Sequence, residues 1–166
     1  VPIGVAWGLA GDDVPLPSDG AVLPVGARLR LRAWGTGKAP EVFVSLFHLR
    51  VDLSLEHLTD GLDHGVSVPG RDCVDLLEGP GRRTPELAWP AEVPRDGPRE
   101  EALVLLVSAR PRSFHRMGTS TWLPHDGLPV WTSRRDAEPA ELSAVVLRYR
   151  VAPAPALGAP GAQTAG

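Results

Sequence analysis

Cysteine, lysine and methionine occur once each in the 166 residues, and each scarcity excludes something. A lone Cys73 rules out an internal disulfide framework and leans towards a reducing compartment, so the expected location is cytoplasmic. Lys38 leaves arginine to supply almost all of the 17 basic residues, which together with abundant Ala, Gly and Pro reads as a high-GC coding bias. The net charge of −3 gives no footprint for nucleic acid or an anionic membrane. No apolar stretch approaches the roughly 20 residues that span a bilayer, and no basic-then-apolar leader opens the chain. Met117 is the sole methionine and Val1 comes first, so the sequence reads as a piece of a longer protein.

Glycine and proline are plentiful, at 18 each, which suits short strands joined by turns and not long helices. The organising stretch is 101–109, a nearly unbroken apolar run closed by Arg110-Pro111. Its length and punctuation predict a central strand buried on both faces. Around it, Ile3, Val5, Trp7 and Leu9 alternate over residues 2–9, and Leu29, Leu31 and Ala33 alternate with three arginines over 27–34. That arginine stripe is either an anion-binding face or a solvated edge that blunts aggregation. Residues 41–48 read as a second central strand, paired as a hairpin with 53–58. Short extended pieces follow at 66–70 and 72–76, then a brief strand at 87–90 with Trp89 in the core. The last strand, 144–152, sends Leu147, Tyr149 and Val151 to one side.

This pattern predicts an all-β fold: an antiparallel β-sandwich of about eight short strands, with an open barrel as the alternative. One domain spans 1–152, and 153–166 is an Ala/Pro/Gly-rich disordered tail.

Chemistry-bearing motifs are few. Asp63-His64-Gly65 and Asp72-Cys73 pair a histidine with a thiol, the ingredients of a cysteine nucleophile, but a lone cysteine in a short strand is ordinarily a small core residue. The histidines lack paired metal spacing, although His48 and His57 could approach each other across a hairpin. There is no nucleophile elbow and no phosphate-cradling glycine loop, so no cofactor is expected. Glu100 and Glu101, at the start of a strand, read as solvated. Residues 110–143 lack periodicity apart from a helical turn around 136–143, and a connection of that length is often functional. Its Arg110, Arg112, Phe114, Arg116, Trp122 and Trp131 are the candidate partner-binding residues, since arginine and tryptophan anchor interfaces. Two alternatives stand beside that reading. The tryptophans could fold back to cap the sandwich, or Trp122 and Trp131 could stack a carbohydrate or another small ligand.

The order of landmarks from Val42-Phe43-Val44-Ser45-Leu46-Phe47 through Gly65-Val66-Ser67-Val68-Pro69-Gly70 to the segment Leu87–Pro111, closed by Arg148-Tyr149-Arg150-Val151, resembles a known arrangement. It is that of an uncharacterised β-sandwich domain found C-terminal to bacterial caspase-like peptidase domains. The resemblance covers about 40–151. It implies a non-catalytic accessory module that recruits substrate, regulates the peptidase or docks a partner in stress or defence signalling. It carries over no catalytic residue, cofactor or metal ligand.

Overall fold

A computed structural model describes residues 3–37, 40–115 and 142–154 of the chain. Nine strands lie among them: β1 (Ile3–Leu9), β2 (Ala21–Pro24), β3 (Leu29–Gly35), β4 (Glu41–Leu49), β5 (Leu55–His57), β6 (Val66–Pro69), β7 (Val74–Asp75), β8 (Arg99–Ser108) and β9 (Leu142–Ala152). They form a three-stranded sheet in the order β1-β3-β7 and a six-stranded one in the order β2-β9-β8-β4-β5, with β6 also on β4. The all-β, two-sheet architecture is the one the alternation predicts.

The two sheets share one core. From the smaller come Ile3, Trp7, Leu29, Leu31 and Ala33, and from the larger Val44, Leu46, Leu103, Leu105, Val107 and Leu147. The indole of Trp7 meets the ring of Tyr149 with centroids 5.5 Å apart and donates its N–H to the Pro17 carbonyl. This places the large ring in the interior while its polar edge stays bonded. The chain changes sheets between β6 and β7, which pair with β4 and β3 respectively. Gly65 opens β6 at φ 78°, where a Cβ would stand 2.5 Å from the Val44 carbonyl oxygen, so only glycine fits there.

Strand β8 is the middle of the larger sheet, between β4 and β9. Its burial is one-sided. Leu103, Leu105 and Val107 are fully enclosed between the sheets, whereas Val104 and Leu106, on the outer face, are half-buried.

Four other expectations are corrected. Residues 87–90 form no strand, because Pro85 and Pro90 bracket the segment without a ladder donor and the Leu87 carbonyl is taken by the Gly26 amide. Leu87 is nevertheless core, and Trp89 packs against it half-buried. Strand β2 escaped the sequence reading because four residues ending in proline carry little period. Its partnership with β9 is parallel, so the larger sheet is mixed and not purely antiparallel. Residues 142 and 143 belong to β9, not to a helical turn. The rest of that turn, and most of the tail, lie outside the described residues. Of the arginine stripe, Arg30 reaches Asp13 at 3.3 Å and Arg32 is exposed.

Candidate functional site

Two arrangements of polar side chains stand out, one sealed in the core and one open at the end of the larger sheet. The sealed one follows from register. His48 on β4 opposes Leu103 on β8, Glu101 on β8 opposes Tyr149 on β9, and all three side chains point between the sheets. His48 Nε2 lies 2.7 Å from Glu101 Oε2, the Tyr149 hydroxyl lies 3.1 Å from the same oxygen, and the Val51 amide donates to Oε1 at 3.2 Å. The phenol has one proton and gives it to the carboxylate. The 3.1 Å approach of Tyr149 to His48 Nε2 is therefore a contact of two donors sharing one acceptor. Burial and the neighbouring Glu101 charge push the Tyr149 phenol far above its usual range. Exposure is 0% for His48, 2% for Glu101 and 1% for Tyr149, so no substrate reaches them. The cluster ties three adjacent strands in one register, because a slip by one residue would drive Glu101 to the other face. The sequence reading placed Glu101 in solvent. Its partners, more than forty residues away on either side, gave no local signal.

The open arrangement is a cleft of about 390 Å³ beside the edge strand β5, lined by Arg50, Glu56, His57, Asp60, Arg83 and His115 together with Ser54 and Leu55. Arg83 spans it, reaching Glu56 at 3.4 Å and Asp60 at 2.7 Å while donating to the His57 carbonyl. Glu56 in turn lies 3.9 Å from the otherwise unbonded Nδ1 of His48, so the cleft wall abuts the sealed cluster. His57 stacks on Phe47 at 4.4 Å, and burial, opposed by the Asp60 charge, lowers its imidazole pKa. His48 and His57 do not converge. Glu56, not His57, opposes His48, which leaves the two imidazoles on opposite faces of the sheet.

Of the sequence candidates, Arg110 is exposed and Arg112 and Phe114 are half-buried. They lie on the chain leaving β8. Ser108 opposes Phe43, yet His115 stands with its ring 5.9 Å from His57, beside Phe47. Residues 109–115 therefore turn back towards β5 on the outer face, where Phe47 and Ser45 are buried at 1% and 2% exposure. Arg116, Trp122 and Trp131 lie outside the described residues. Cys73 is exposed and not a core residue, because the turn between β6 and β7 carries it outwards. His64 is exposed as well. Among the described residues no group of three or more His, Cys, Asp or Glu side chains could hold a metal ion, and no helix is long and apolar enough to cross a membrane.

No family model, curated protein or solved structure matches the chain.

Proposed function

We propose that this chain is a non-catalytic accessory domain that docks a protein partner, a caspase-like peptidase domain or its substrate, in bacterial cytoplasmic stress or defence signalling. The carrying observation is the outer face of β8 and β9. Leu142 and Val146, 36% and 42% exposed, lie beside the exposed Ala144 and the half-buried Val104 and Leu106. Val22 on β2, 49% exposed, lies beyond Arg148 beside Arg150 on the same face. A contiguous apolar strip on a sheet that already has its core on the other side is the signature of an interaction surface. Arg148 and Arg150, exposed on β9, rim one end, and Arg110 and Arg112 leave β8 at the other. An apolar centre with an arginine rim fits a protein surface bordered by carboxylates. The peptidase as partner comes from the resemblance over 40–151.

The test places a photo-crosslinking residue at Val146 in the full 166-residue chain and adds a recombinant caspase-like peptidase domain encoded with it. Cross-links from position 146 to the peptidase are the expected result. Cross-links confined to residues 116–141 of the same chain, or to a second copy, would show that the strip is covered from within or by self-association, and this reading would fall.

A further inference from the structure

The strand edge beside the cleft is open in a way the outer face is not. Along the β4–β5 hairpin, the Arg50 amide donates to the Ser54 carbonyl and the Leu58 amide to the Leu46 carbonyl. Hydrogen-bonded and non-bonded pairs alternate in an antiparallel ladder, so the pair between them that exchanges bonds is His48 with Glu56. The backbone groups of Leu55 and His57 consequently point away from β4, towards the cleft those two residues line. Of these groups only the His57 carbonyl has a partner among the described residues, the Arg83 guanidinium. β5 ends the sheet, so an extended chain could add here as one more strand.

The side chains around that edge select what the added strand carries. Glu56 and Asp60 are both engaged by Arg83. Arg50 has no hydrogen bond or ion pair from its guanidinium among the described residues, and its charge acts only at longer range on Asp52. The Leu46 amide donates to Thr59 Oγ1, which lies 3.1 Å from His57 Nε2. His57 Nδ1 is buried and makes no hydrogen bond among the described residues. His115, 40% exposed on its side chain, lines the same wall and stands 3.5 Å from Asp63.

We propose that the β5 cleft binds an extended peptide segment bearing a carboxylate, its backbone paired to Leu55 and its carboxylate held by Arg50. This rests on the reading of the chain as an interaction domain and adds a second contact, remote from the outer strip. A volume of about 390 Å³ accommodates a few residues and not a folded element.

The probe is an N-acetylated, C-amidated pentapeptide with one central aspartate, titrated into the full chain and compared with its asparagine counterpart and with free acetate. NMR shifts of the Leu55 and His57 amides report on the edge. The expected result is binding of the aspartate peptide about tenfold tighter than the asparagine one, because a charge-assisted bond is lost. That preference should vanish in Arg50→Gln, and the two amides should move. Equal binding of the two peptides, or no binding of either, would overturn the proposal. Acetate competing as strongly as the whole peptide, with Leu55 unmoved, would reduce the cleft to a simple anion site and equally overturn it. Arg50→Lys guards against misfolding, since retained charge should restore part of the preference. Failure here leaves the Val146 cross-link result untouched, so the two readings fall separately.

Discussion

The two faces of β8 are built from almost the same residue types and meet different fates. On the inner face Leu103, Leu105 and Val107 are enclosed, and a carboxylate, Glu101, is enclosed with them. On the outer face Val104 and Leu106 remain partly open beside an exposed Val146. The inner face encloses a carboxylate, while apolar residues of the outer face are left partly accessible. Hydrophobicity therefore does not assign the core here. Opposition to the second sheet does, and a buried carboxylate is tolerated where donors from three strands converge on it. Apolar residues the fold does not need for its own core are what an interface would draw on.

The largest effect that would sharpen this contrast is Glu101→Ala. It strands His48, Tyr149 and the Val51 amide in the core, and urea unfolding should show a loss of about 3–5 kcal/mol. A loss under about 1 kcal/mol would mean that the cluster contributes little. Next, Leu105→Ala against Leu106→Ala compares neighbours facing opposite ways. About 3 kcal/mol is expected for the enclosed side chain and about 1 kcal/mol for the half-open one, and equal costs would break the distinction between the faces. Acid should then act through His57. Its pKa is depressed in the fold, so its contribution is present above the unfolded value of 6.5 and erodes as pH falls through the folded one. The urea midpoint should drop as pH falls below about 6.5, and in His57→Phe the drop should shrink. Tyr149 works at the opposite end. Its raised pKa gives stability that is present below pH 10.0 and eroded above it, and Tyr149→Phe should flatten that alkaline loss. Smallest of all, Val146→Ser should change stability by no more than about 0.5 kcal/mol while weakening partner capture.

Much of the fold was legible because local period decides it. β1, β3, β4 and β9 alternate or run apolar over seven or more residues, long enough for one face to declare itself. β2 and the false strand at 87–90 show the limit. Both are short apolar pieces beside proline, and whether such a piece joins a sheet depends on a partner far along the chain. The sites were less legible for the same reason. Nothing near Glu101 announces His48 or Tyr149, and nothing near Arg50 announces Arg83. What the sequence could mark was the departure from β8, where Arg110, Arg112 and Phe114 follow the end of the strand.

The pairing of Ala21–Pro24 with 149–152 also sets a timetable. During synthesis, at about 5–20 residues per second, the early strand waits on the order of ten seconds before its neighbour leaves the ribosome. Until then β8 has only β4 beside it, and its other edge is open to whatever chain is near. Completion of the sheet is thus a late, long-range event, of the kind that slows folding and invites help from a holding chaperone. A nascent chain stalled before Leu147 should bind such a holdase, and one extended past Ala152 should release it.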